Sequence, residues 1–243
     1  MSRQVTLAVC VRVLRQLRRD PRTVLLLLVV PTALVVLLHE VFSGGPAFQR
    51  IGGPLLGLFP FVSMFLVSSI TMLRERLSGT LERLMTMPLS KLDLLVGYAL
   101  AFAVLAACQA LLASVVALGA LGLDVERPAV VVVLAVANAL LGMAFGLSLS
   151  ALASSEFQAV QFMPAFVFPQ ILLCGLLVPR AEMAGWLDGA SWAMPLTYAY
   201  DALARATAPA SLASAFWADV AAVAAMTLGA LVIGAATLRR RTP

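Results

Sequence analysis

RLSGTLERLMTMPLS, residues 76–90, lies between two long apolar segments and matches neither of them. It carries arginines and a glutamate, contains Gly79 and closes toward Pro88. Leu77, Leu81, Leu84 and Met85 recur at helical intervals. Thr80 can cap a helix N-terminus, Glu82 suits a first turn where the helix dipole favours an acid, and Pro88 ends the run. The spacing predicts an amphipathic helix of about two turns. A helix that short is marginal in water, so it needs a surface: the face of a membrane or a partner beside it.

The surroundings name the solvent. Of 243 residues, 62% are hydrophobic and 12% charged, against roughly 25% charged in an ordinary soluble domain. About 20 apolar residues at 1.5 Å rise span a bilayer core. The fold class read from this is an all-α integral membrane protein, one transmembrane domain over 1–243, with six spans at 23–41, 54–73, 92–121, 128–152, 158–178 and 216–238. Residues 179–215, broken by Pro179, Gly185, Gly189, Pro195 and Pro209, are too interrupted for a simple span and too apolar for a plain loop. They are expected at the membrane surface or dipping into it.

Positive charge sets the orientation, because loops rich in Lys and Arg stay in the cytoplasm. With the N-terminus inside, that side collects Arg3, Arg12, Arg15, Arg18, Arg19 and Arg22, then Arg74, Arg76, Arg83 and Lys91, then Arg239, Arg240 and Arg241, thirteen of the 17 basic residues. Both termini are expected in the cytoplasm of a multi-pass protein of the inner (plasma) membrane. The net charge of +5 reflects this asymmetry and does not indicate nucleic acid. Trp186, Trp192 and Trp217 fall on the outer side, where an aromatic belt forms.

Residues 1–22 can be drawn as an interfacial helix along the lipid membrane, with Arg12, Arg15, Arg19 and Arg22 among headgroups and Leu7, Cys10, Leu14 and Leu17 opposite. Asp20-Pro21 breaks it from the first span. Cys10, Cys108 and Cys174 have no C-x-x-C spacing and read as small packing residues.

GTLERLMTMPLS (79–90) resembles the coupling helix that follows the second span in permeases of ABC type-2 exporters, with the pattern G-T-x-E-x-L and a later proline. FPQILLCGLLVP (168–179) and WLDGASWAMPLTYAYDALARA (186–206) resemble the P-L-T-Y-x-x-D-A-L region between that family's last two spans. The drug-resistance branch is the nearest resemblance. The arginine usual after D-A-L stands one residue late, as Arg205.

The resemblance implies a half-permease: this chain pairs with a second copy or a homologous permease chain and binds two copies of an ABC ATPase. Residues 76–90 become the coupling helix, with Gly79, Thr80, Leu81, Glu82, Arg83, Leu84 and Pro88 docking on the ATPase. Residues 179–215 become a re-entrant extracytoplasmic lid, with Pro195, Thr197, Tyr198 and Asp201 at its gate. The implied cargo is a hydrophobic or amphipathic small molecule, a drug, lipid or secondary metabolite. A wide tunnel for a polysaccharide would want more polar residues than these spans hold.

The residues themselves agree on the energy source. A nucleotide loop G-x-x-x-x-G-K-[ST] needs a lysine for the phosphates, and the one lysine, Lys91, sits in LSKLD. This chain is expected to bind no cofactor, with ATP and Mg held by the partner ATPase, and to be no enzyme. The alternative is an ion-coupled secondary transporter, which usually carries an ionisable residue near mid-membrane. The deepest polar groups here are uncharged: Ser63, Gln109, Asn138, Gln161 and Gln170. Together with Phe65 and Phe166 they are the candidate substrate pathway; helix-to-helix hydrogen bonding is the competing role. An intramembrane enzyme would need convergent catalytic or metal ligands, and His39 has no such partner pattern. No catalytic or metal residue is assigned.

Overall fold

Helix signals and hydropathy together lay out the chain. A computed structural model describes residues 3–86, 90–209 and 212–237, with only the backbone at Glu82, Met85 and Lys91. Pro88, Arg239, Arg240 and Arg241 lie outside the described residues. Helix α1 (Arg3–Arg19) stops before Asp20, whose carboxylate accepts from the Thr23 N–H at 3.2 Å and caps α2 (Pro21–Val41). Proline in the first turn also opens α3 (Pro46–Leu77) and α6 (Pro128–Leu149), where its missing N–H has no helical partner to lose. Between them lie the short α4 (Thr80–Thr86) and α5 (Lys91–Ser114), which runs on into a π-helical turn, Val115–Ala120. Helices α7 (Glu156–Leu173), α8 (Gly185–Ser191), α9 (Pro195–Thr207) and α10 (Ser214–Thr237) complete an architecture without strands among the described residues.

Five of these stretches are long and apolar enough to cross a membrane: Pro21–Val41, Pro46–Leu77, Leu92–Ala120, Pro128–Leu152 and Ser214–Thr237. The fifth expected span, 158–178, overlaps α7, which has 18 residues and is diluted by Glu156, Gln158, Gln161 and Gln170. The helix carrying the second expected span begins earlier than Pro54. Pro54 and Pro60 lie inside a 32-residue helix, which a packed membrane bundle tolerates because neighbours satisfy the freed carbonyls.

The core is the α3–α6 seam. The windows of α3 and α6 are each 61% buried, against 17% for α2 and α10. A Cβ at Gly142 would collide with the Phe61 carbonyl, and one at Gly146 with the Phe65 carbonyl and the Ser68 hydroxyl. Ser68 Oγ donates to the Met143 carbonyl at 3.0 Å, sealing the approach. In lipid, where apolar burial alone drives little, such contact is what holds helices together.

After α7 come a 3-10 turn (Arg180–Glu182), α8 and α9, and α9 packs onto this seam. Helix α9 buries Leu196, Ala199, Ala202, Leu203 and Ala206. Leu203 lies over Gly57 and Thr207 over Gly53, so two glycines of α3 form the notch that receives it.

Helix α1 packs Cys10, Leu14 and Leu17 inward as expected, but not Leu7. Thr6, Val9, Cys10 and Val13 are buried, while Leu7 is exposed. Val9 fits against Gly97 of α5, where any Cβ would strike it. Cys10 and Cys174 are buried packing residues, but Cys108 is exposed on α5.

Candidate functional site

Helix α4 sits at one end of the bundle on a glycine turn. Gly79 takes φ +69°, a conformation that L side chains rarely adopt. Its carbonyl accepts from the Arg83 N–H at 3.1 Å, so Gly79 holds the capping position. Thr80, expected as the cap, is the first helical residue, its hydroxyl 2.9 Å from Ser78 Oγ.

Leu81 and Leu84 are buried in the cluster that contains Val9, Leu94, Tyr98 and Met143. The surface this short helix requires is therefore supplied first by the chain's own bundle, where a membrane face or a partner beside it was expected. Arg83 and Thr86 remain exposed on its other side. A Cβ added at Gly79 would meet nothing within 4 Å.

Both stems of α4 are tied to α1. At the end of α3, Arg12 Nη2 donates to both oxygens of Glu75 at 2.7 Å, and Gln16 Nε2 adds a bond to Glu75 Oε1 at 3.0 Å. At the start of α5, Thr6 Oγ1 donates to Asp93 Oδ1 at 3.1 Å. Asp93 also closes a capping box: its N–H donates to Ser90 Oγ at 3.0 Å, and the Ser90 N–H donates to Asp93 Oδ2 at 3.1 Å. Glu75 and Asp93 were assigned no role from sequence. Ser90-x-x-Asp93 was a legible capping signal; the Arg12–Glu75 pair had no local signal, and Arg12 points to Glu75 rather than among headgroups. A cavity of about 290 Å³ beside the pair is lined by Gln16, Asp20, Thr23, Arg74, Glu75 and Thr80 among others.

The candidate pathway residues occur in separate groups. Gln109 Nε2 donates to Ser63 Oγ at 2.7 Å, joining α5 to α3, while Ser63 Oγ donates to the Phe59 carbonyl at 3.0 Å. Phe65 stacks on Phe166 with centroids 5.7 Å apart, and Phe145 lies 5.1 Å from Phe166. Gln170 fastens α9 to α7: its Oε1 accepts from the Leu196 N–H at 3.2 Å and its Nε2 donates to the Phe166 carbonyl at 2.9 Å. Asn138 is buried against Gly57, and Gln161 is exposed on α7.

At the end remote from α4, the expected gate residues hold α9 in place. Pro195 starts the helix, Thr197 Oγ1 donates to the Ser191 carbonyl at 2.7 Å, and Tyr198 Oη donates to the Trp192 carbonyl at 2.8 Å. Asp201 pairs with Arg180, whose guanidinium lies 4.4 Å from the centre of the Trp192 ring. Burial pushes the Asp201 carboxyl above its ordinary range while Arg180 draws it back. Arg205, left without a role by its offset position, stands 3.0 Å from Asp219 and joins α9 to α10.

Residues 4–207 match the sequence profile described as ABC-2 type transporter. The chain is 28% identical over 150 residues to the Probable multidrug ABC transporter permease YbhR of Escherichia coli (strain K12), a match covering 60% of this chain and 40% of that protein. It is 25% identical over 147 residues to the ABC transporter G family member 20 of Dictyostelium discoideum, covering 60% of this chain and 20% of the relative. The matches thus take in less than half of each relative's length.

Proposed function

The chain belongs to the ABC-2 type transporter family, and from that premise we propose that it is the membrane-spanning permease of an ATP-driven exporter. The observation that carries this reading is α4: a short helix braced by Leu81 and Leu84 against the bundle, with Arg83 and Thr86 turned outward. Its exposed side is the dock for an ABC ATPase, and the two leucines support it from beneath. The absence of G-x-x-x-x-G-K-[ST] from the sequence agrees with hydrolysis on a partner chain. In this reading two ATPase copies serve two permease chains, identical or homologous.

The arginine-rich α4 end faces the cytoplasm, following the positive-inside rule. Helix α7 supplies the sixth crossing; its 18 residues reach about 27 Å at 1.5 Å per residue. The α8–α9 segment forms the outer lid. The cargo is a hydrophobic or amphipathic small molecule, because the long helices are strongly apolar and polar groups such as Ser63 and Gln109 bond to each other. ATP binding would favour one packing of the bundle over another through differential contacts at α4.

The test is co-purification. Tagged chain extracted from its native membrane should bring down an ABC ATPase, and Arg83→Glu should weaken capture without lowering membrane insertion. A chain that captures no ATPase, and whose vesicles move solute only under an imposed proton or sodium gradient, would overturn this reading in favour of ion coupling.

A further inference from the structure

Arg180 occupies a seat whose chemistry suits a cation from outside the chain. Its guanidinium lies 4.4 Å from the centre of the Trp192 ring and pairs with Asp201. Tyr198 stands edge-on to Trp192, the ring centroids 6.0 Å apart. Asp219 lies within electrostatic reach of Asp201 and Arg180 and keeps 8% of its side chain exposed. An aromatic face beside buried carboxylates recognises organic cations, because the ring quadrupole and the carboxylate charge act on the same group once water is excluded.

The resident side chain fills this seat incompletely. Arg180 Nη1 is buried and completes no hydrogen bond; Asp219 Oδ2, although 3.0 Å from Arg205 Nε, accepts none either. Buried polar groups of a purely structural pair are normally satisfied, and here a donor and an acceptor are left over in one cluster. Arg180 is tethered in the 3-10 turn Arg180–Glu182 and reaches only as far as its stem allows. A free cation has no such limit. Exchange also conserves charge: one positive group leaves as another enters, so neither carboxylate is left buried without a counterion. Because Arg180 fastens its turn to α9 through Asp201, its departure undoes that fastening.

Resting on the reading of the α8–α9 segment as the outer lid of an exporter, we propose that Trp192, Asp201 and Asp219 form an exit site for organic cations, with Arg180 as the built-in stand-in. A molecule bearing an ammonium or guanidinium group takes the place of Arg180, and the cargo itself unlatches the lid. A neutral molecule of the same shape has nothing with which to displace it.

The test is equilibrium dialysis of the full chain in phosphatidylcholine nanodiscs with octylguanidinium, and with octylurea as its neutral isostere; empty nanodiscs give the partition background. Octylguanidinium should bind in excess of octylurea. A two-state element keeps its minor state at about 10% or less. Arg180→Ala, which empties the seat, should therefore tighten octylguanidinium binding about tenfold or more and leave octylurea unchanged. Adding Asp201→Asn should remove most of that gain. Equal binding of the two probes by Arg180→Ala, or a gain that survives Asp201→Asn, overturns the proposal.

If Arg180→Ala does not fold, the unsubstituted chain and Trp192→Leu decide. An excess of octylguanidinium that Trp192→Leu reduces supports the site; no excess, or one that Trp192→Leu leaves intact, overturns it. The dialysis contains no ATPase, so the two readings fail separately. A chain that captures an ATPase but treats both probes alike loses the cation site alone. A chain that binds octylguanidinium selectively and captures no ATPase overturns the exporter reading, and the exit role falls with it.

Discussion

The Arg12–Glu75 and Arg74–Glu156 pairs at the α4 end reach across the sequence, whereas Arg180–Asp201 and Arg205–Asp219 at the α9 end stay within one stretch of it. Arg12 and Glu75 are 63 positions apart and Thr6 and Asp93 are 87 apart. Arg180 and Asp201 are separated by 21, and Arg205 pairs with Asp219 on the next helix. The first set binds helices from different parts of the bundle into a joint; the second folds a local lid and bolts it to its neighbour. Between the two ends lies the glycine seam of α3 and α6, whose contacts involve backbone and leave little room for adjustment.

That contrast ranks the substitutions that would break it. Gly142→Val should do most damage, about 3 kcal/mol at the upper end of overpacking, because the atom it meets is the Phe61 backbone carbonyl rather than a side chain that can turn away. Thermal unfolding in detergent checks it, with Gly229→Val, which meets nothing within 4 Å, expected near the unsubstituted midpoint.

Asp201→Asn comes next at about 2 kcal/mol, below the range for a fully buried pair because Arg180 and Asp201 keep 16% and 11% of their side chains exposed. The same unfolding assay should show Arg180→Gln with Asp201→Asn less destabilised than Asp201→Asn alone, since no charge is then left unpaired.

Ser90→Ala should cost about 1 kcal/mol, the usual worth of an N-cap. Hydrogen exchange should rise first at the amides of Asp93 and Leu94, which the cap orders. Smallest is Arg74→Gln. Arg74 and Glu156 meet at 2.8 Å but keep 60% and 47% exposure, so the loss should be about 0.5 kcal/mol or less. A large effect there would mean that the α4 end is held by exposed charges and would erase the distinction between its joint and its surface.

The readable parts of the site were those with a local cause. Leu81 and Leu84 at helical spacing announced α4; that both leucines face the chain's own bundle required the positions of Val9 and Leu94. The close contact at Gly142 and Gly146 is with α3 of the same chain, a partner that no local signal names. On α1, Cys10, Leu14 and Leu17 pack inward as their spacing implied, but Leu7 is exposed while Thr6 is buried, because Asp93 supplies Thr6 with an acceptor. Pro54 looked like a start signal, although Pro46 opened the helix eight residues earlier.

Hydropathy and helix signals act over neighbours in the chain, so the sequence by itself determined an apolar all-helical protein, a short charged helix between two long ones, and the separate α9 segment. Which carboxylate meets which arginine is a matter of distance after folding, set by notches such as Gly97 and Gly57 that decide how closely helices approach. Tertiary structure alone therefore decided that Arg12 turns inward to Glu75, and that the N-terminal helix is tied to both stems of α4.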